Sequence, residues 1–308
     1  MGWEQTNITG NVQRVFRARH KIDEPGLISH ITQRAAGREP LFLGDDDYLT
    51  MLGLLKESAE KFDLTYYALA MLYNHIHLLI EPNRKNLAQA MRSIFSRYAA
   101  KFNRKYERRG HLFGGPYRQS ICLDDTYLLT ASVYIHLNPV RAGIIDDANA
   151  YRWSSSSLYC REEPLESFIN PRPILQLVHD NEPVARKQYR QLLQKAYGNE
   201  PDNVLEQEGA IDKFCLRLAE IFPRLFSRLG KNPTKIISQP ESLLELTRLD
   251  RELKKIDFSR SRTLESKKAK KFIVDQLLAR GFKKTEIARK LGISRVSVYN
   301  IFNSSPEE

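Results

Sequence analysis

The chain has 308 residues, more than one typical domain needs. Its 42% hydrophobic and 10% aromatic content suffices for a sizeable core, which excludes a wholly disordered protein. A formal charge of +11, from 48 Lys and Arg against 37 Asp and Glu, favours a polyanionic partner such as nucleic acid. The cysteines Cys122, Cys160 and Cys215 lie far apart without CxxC spacing, so neither a zinc ribbon nor a disulfide framework is expected. No apolar run approaches the length of a membrane span, and the sequence reads as cytoplasmic with no membrane partner.

After a polar, basic opening to about residue 24, Leu27 to Arg34 has the β-branched content of a strand. Asp45 to Phe62 reads as a helix, with Asp45, Asp46 and Asp47 at its positive N-terminal end. Leu64 to Met71 is a second strand, Tyr73-Asn74 a turn, and His75 to Glu81 a third strand closed by Pro82. From residue 86 to 106, Leu87, Met91, Ile94, Tyr98 and Phe102 recur at helical steps. Gly110, Gly114, Gly115 and Pro116 break that pattern, and Tyr117 to Leu123 returns as a strand. Asp124 or Asp125 caps a helix to about Leu137, stopped by Pro139. The order β-α-β-β-α-β-α predicts an α+β fold, an antiparallel sheet carrying helices in the ferredoxin-like manner.

After Trp153 and the serines Ser154 to Ser157 the character changes. Residues 170 to 255 are helical and charged, and residues 259 to 271 form a basic, serine-rich linker or helix start. Near the end, Lys284 to Asn300 resembles a helix-turn-helix, with Ala288 at the close crossing, Gly292 in the turn, Ser294 as cap and Val298 in the core. This organisation divides into residues 1–160, an α+β domain; 161–265, a helical linker or accessory region; and 266–308, a helix-turn-helix module in an all-α C-terminal region.

Two places carry chemistry. His75 and His77, two apart on a strand, project from one face, where their imidazoles can converge on a divalent cation. A bare His-x-His also occurs on solvated sheet faces. Tyr134 and Asn138 are four apart, hence neighbours on one helical face. Asn138 offers an amide oxygen suited to Mg²⁺ or Mn²⁺, and Tyr134 a phenol able to act as nucleophile. A packing reading makes Tyr134 half-buried and Asn138 a helix C-cap before Pro139. His136, two positions along the helix, points elsewhere and reads as a packing residue; His30, on a different strand, is placed to line the sheet near the site and receives no role.

Three segments occur in order: Gly26-Leu-Ile-Ser-His30-Ile-Thr-Gln-Arg34, Asn74-His75-Ile-His77-Leu-Leu-Ile80, and Tyr134-Ile-His-Leu-Asn138-Pro139-Val-Arg141-Ala-Gly143. Together they resemble the REP-associated tyrosine transposases, a branch of the single-tyrosine HUH transposases, over roughly residues 10 to 160. The resemblance implies His75 and His77 as metal ligands, Asn138 in the third ligand position, and Tyr134 as nucleophile. It further implies cleavage of single-stranded, hairpin- or repeat-bearing DNA through a 5′-phosphotyrosine, with Mg²⁺ or Mn²⁺ and a homodimer. The segment Leu112-Phe113-Gly114-Gly115-Pro116 departs from the family, which often has Trp there, and the long C-terminal half is absent from its shortest members.

Arg97, Lys101, Arg104 and Arg108 share the helix face opposite the apolar stripe and can track a phosphate backbone. In the C-terminal module Arg295, Ser297, Tyr299 and Asn300 are placed for major-groove or phosphate contact with duplex DNA. A relaxase or replication initiator would share the His-x-His and tyrosine. A transcription regulator with a non-cleaving N-terminal domain would rest on the helix-turn-helix alone.

Overall fold

The computed structural model describes residues 21–37, 39–122, 124–163, 165–197, 210–231, 271, 274, 284–291 and 293–303. Residues 23–231 belong to one compact unit, and the helices near the C-terminus belong to a second.

The first unit opens with strand β1 (Ser29–Arg34), helix α1 (Asp45–Lys61), strands β2 (Leu64–Leu72) and β3 (His75–Pro82), helix α2 (Leu87–Lys105), strand β4 (Arg118–Ile121) and helix α3 (Asp125–Arg141). The sheet order is β2-β3-β1-β4, with every neighbouring pair antiparallel. This is the ferredoxin-like arrangement that the element order predicts.

Alternation assigns the two faces. Ile76, Leu78 and Ile80 of β3 and Ile31 of β1 enter a core with Met51, Leu54 and Leu55 of α1 and Met91, Ile94 and Tyr98 of α2. Each such aliphatic side chain contributes about 1.5–3 kcal/mol on burial. In β2 the register shifts between Tyr66 and Ala68, an irregularity that adds one residue, Tyr67. Tyr66, Leu69 and Met71 therefore share the helix-covered core, while Ala70 and Leu72 pair with His77 and His75 on the other face. The β2 edge is covered: Met71 N–H donates to Trp153 O (2.9 Å) and Asn170 N–H to Tyr66 O (2.8 Å).

Asp47, in the first turn of α1, joins α1 to α2. Its carboxylate accepts the Leu43 and Gly44 N–H groups (2.8 and 3.2 Å), the Tyr106 hydroxyl (2.8 Å) and the Lys105 ammonium (2.9 Å).

Helix α3 packs against β2 and β3 on the face away from α1 and α2. Its start is capped by Asp124, whose carboxylate accepts the Tyr127 N–H at 2.7 Å. The expected stop at Pro139 is corrected: Pro139 lies inside the helix, which runs to Arg141 with Ala142 rather than Asn138 as C-cap. The stop is Gly143, at φ +66°, with Ile144 N–H returning to Pro139 O (3.0 Å). Packing explains why the proline is tolerated: every residue from Tyr127 to Val140 is buried, so tertiary contacts outweigh one missing N–H.

Beyond the sheet lie α4 (Ser156–Cys160), α5 (Arg172–Val178), α6 (Glu182–Ala196), α7 (Ala210–Ile221) and α8 (Pro223–Lys231). Helices α5 to α8 all contact α3, which is thus sandwiched between the sheet and a helical layer.

In the second unit, α9 (Lys284–Leu291) and α10 (Arg295–Asn303) pack against each other. Val274, Ile287, Ala288 and Val298 form their small core. Ser294 Oγ caps α10 by accepting the Ser297 N–H at 3.0 Å. Arg295, Tyr299 and Asn300 are exposed and Ser297 is half-buried, while Lys284 Nζ sits 4.3 Å from the Tyr299 ring centroid. Gly292 and the basic stretch 259–270 lie outside the described residues.

Candidate nucleophile and metal-ligand site

The α3-covered face of the sheet brings the chemistry together. His77 of β3 lies opposite Thr32 of β1, and His75 opposite Arg34. Tyr134 projects from α3 onto this face, with its ring centroid 5.9 Å from that of His77 and 6.0 Å from that of His30, edge-on to both. The His75 and His77 centroids are 4.9 Å apart.

The hydrogen bonds orient each imidazole. His75 Nδ1 is 2.7 Å from Asn74 Oδ1, an acceptor, which puts the ring proton on Nδ1 and the lone pair on Nε2. His77 Nδ1 is 2.9 Å from His30 Nε2 and 3.2 Å from Thr32 Oγ1. Nε2 is therefore the nitrogen each ring of the His-x-His pair would offer a cation, with Nδ1 held by an outer partner, as metal-ligating histidines usually are. Burial holds His77 well below the ordinary imidazole range, with the neighbouring His75, His30 and Arg34 adding to the effect. His30 is pushed down to about 4 by burial. Both rings are neutral near pH 7, the form that ligates.

Asn138 donates Nδ2–H to Tyr134 O at 2.9 Å, so its Oδ1 is the end that suits a hard cation. No contact between Asn138 and either histidine is among those described. Among the described residues, no three His, Cys, Asp or Glu side chains form a metal-binding group. A cation held by His75 and His77 would thus need a ligand of another kind, and the amide of Asn138 has the right chemistry.

Two further residues meet the site, neither with a role assigned from the sequence. His30 was given no role, yet it touches His77; the signal was alternation, which sets His30, Thr32 and Arg34 on one strand face. Phe214 of α7 packs edge-on to Tyr134 at 6.2 Å, and the Arg141 guanidinium lies 4.4 Å from the Phe214 ring centroid. Tyr134 is only 2% exposed, beneath this cover.

His136 is buried packing, as expected. Its Nδ1 meets the Tyr189 hydroxyl at 2.8 Å and its Nε2 the Ser155 hydroxyl at 2.7 Å. Ser155 Oγ in turn accepts the Leu69 N–H at 2.9 Å, tying α3 to β2 and α6. Burial pushes His136 down to about 3.

The basic face of α2 is partly committed within the protein. Arg97 binds the Glu57 carboxylate in bidentate fashion (2.6 and 2.7 Å), and Arg108 pairs with Glu39. Lys101 and Arg104 are exposed.

Residues 25–138 match the family model described as Transposase IS200 like, a span that contains His30, His75, His77 and Tyr134 and ends on Asn138. A solved structure, "Structure of the REP associates tyrosine transposase bound to a REP hairpin", is similar at 13% identity, covering 44% of this chain and 80% of that chain with a TM-score of 0.40. No curated protein matches the chain.

Proposed function

We propose that the protein, whose residues 25–138 match the family model described as Transposase IS200 like, cleaves and rejoins single-stranded DNA, with Tyr134 as its nucleophile. The substrate class is a hairpin- or repeat-bearing strand, and α9–α10 bind duplex DNA through Arg295, Ser297, Tyr299 and Asn300. The observation that carries the reading is the meeting of Tyr134 from α3 with His77 from β3 and His30 from β1, beside His75.

In this mechanism Tyr134 Oη attacks the scissile phosphorus. The Oη–P bond forms as the P–O3′ bond breaks; the phenol gives up its proton, and the departing oxygen gains one as a free 3′-hydroxyl. The 5′-phosphotyrosine conserves the phosphodiester energy, so a second 3′-hydroxyl can reverse the step and join strands. His75, His77 and the Asn138 amide oxygen would hold Mg²⁺ or Mn²⁺, which when bound withdraws charge from the phosphate and aligns it for in-line attack. His30 and Thr32 orient His77. Lys101 and Arg104 contact phosphates directly, and Arg97 and Arg108 join them by exchanging Glu57 and Glu39 for DNA. Tyr134 is buried with Phe214 packed edge-on to it, so a phosphate reaches Oη only once this packing opens. One tyrosine per site also fits a homodimer that pairs two cleavages.

The test is incubation with hairpin-bearing single strands and Mg²⁺ or Mn²⁺. The parent protein should cleave and form a covalent adduct, and Tyr134→Phe should form none. Replacing His75 and His77 together by Ala should stop cleavage while duplex binding persists. Tight duplex binding without cleavage of any hairpin would favour a DNA-binding regulator instead.

A further inference from the structure

A groove of about 630 Å³ runs between α6 and the α7–α8 junction, apart from the residues of the site above. Its walls carry His179 at the end of α5, Gln188, Gln191 and Lys195 of α6, and Phe222, Arg224 and Arg228 around the start of α8. No carboxylate is among the residues that line it. A charged surface helix is usually just solvated, but charge of one sign concentrated in a concave site focuses its potential and draws in polyanions.

Local contacts hold several of these groups in place. Arg228 donates to the Leu177 and Val178 carbonyls, both at 2.7 Å, which fixes α8 on the end of α5 and builds a positive charge into the wall. His179 Nδ1 accepts the Asn181 N–H at 2.9 Å, which leaves Nε2 as the ring nitrogen that faces other partners. Lys195 Nζ lies 5.9 Å from the Phe222 ring centroid, a cation and an aromatic face side by side. Lys195 and Arg224 are exposed at the rim, and Phe222 is half-buried.

We propose that this groove binds a single DNA strand leading to the cleavage site. Phosphates lie on Lys195 and Arg224, a base stacks on Phe222, and the Gln188 and Gln191 amides reach base edges. The choice of DNA as the polyanion rests on the transposase reading. The volume is that of a small-ligand site, room for about one or two unstacked nucleotides and not for a duplex. Position supports a link to catalysis: Ile221, which lines the groove, and Phe214, which covers Tyr134, are both on α7, about 10 Å apart along its axis.

The experiment uses the full chain and a fluorescein-labelled oligothymidine, followed by anisotropy across a salt series. The double variant Lys195→Glu, Arg224→Glu changes exposed side chains, and its melting temperature should match the parent's. Its affinity at low salt should fall at least about tenfold, with a log K against log salt slope shallower by about 1.4 from two lost phosphate contacts. A strand carrying 4-thiothymidine should crosslink to the peptide containing Phe222, a readout that needs no variant. Unchanged affinity and slope, or crosslinks only to peptides outside residues 179–228, would overturn the proposal. Equal or tighter binding of polyglutamate would overturn it in favour of an acidic protein partner. Adduct formation by the parent on hairpin DNA is scored separately. Adduct without any effect of charge reversal removes the groove alone; groove binding without adduct removes the transposase reading.

Discussion

Asn74 is outside the proposed ligand set, yet its side-chain oxygen sets the tautomer of His75 from 2.7 Å. Removing such an outer partner typically costs 10–100-fold in metal affinity. Asn74→Ala should therefore weaken Mn²⁺ binding by about that factor, measured by titration calorimetry; an unchanged affinity would mean that His75 is not a ligand. His136 gives a second prediction at this scale. Its folded-state value, about 3, lies below the ordinary 6.5, so as pH falls the unfolded chain takes the proton first. Stability is complete above about pH 6.5 and is lost as pH drops towards 3, at up to about 1.4 kcal/mol per pH unit for this one group. His30, held down to about 4, adds a loss of the same sign. His136→Gln should flatten the slope of unfolding free energy between pH 6 and 4 by close to one proton. An unaltered slope in urea titrations would contradict the neutral, buried assignment.

Among the elements, α3 does most to define the site, because it carries Tyr134 across the histidine face. Its end depends on Gly143, whose φ of +66° a residue with a Cβ adopts at a cost of about 1–2 kcal/mol. Nothing lies within 4 Å of a Cβ built there, so the penalty is conformational and not steric. Gly143→Ala should lower the unfolding free energy by that amount in denaturant titrations, and a neutral result would remove the glycine from the role of helix stop. The strands and α1 and α2 were legible in the sequence because alternation and helical spacing are local signals. The end of α3 was not, because Pro139 is a local stop signal overridden by burial on all sides. His30 was missed for a related reason. Which strand lies beside β3 is set by sheet order, and only the Thr32–His77 register reveals which polar side chains meet.

Across the whole molecule, the ordered motifs pointed to the sheet and to the Tyr134, His75 and His77 set. Their spacing could not show that α5 to α8 pack on α3, or that Phe214 packs on the tyrosine, because those contacts join residues far apart in sequence. The same packing leaves Tyr134, the proposed nucleophile, only 2% exposed. The sharpest measurement is mass spectrometry of the protein after reaction with hairpin DNA and Mn²⁺, with the DNA trimmed by nuclease and the protein digested. A nucleotide should be found on the peptide containing Tyr134, joined through its phenolic oxygen, and Tyr134→Phe should carry none. Attachment to another tyrosine, or strand cleavage with no protein-bound nucleotide at all, would contradict Tyr134 as the nucleophile.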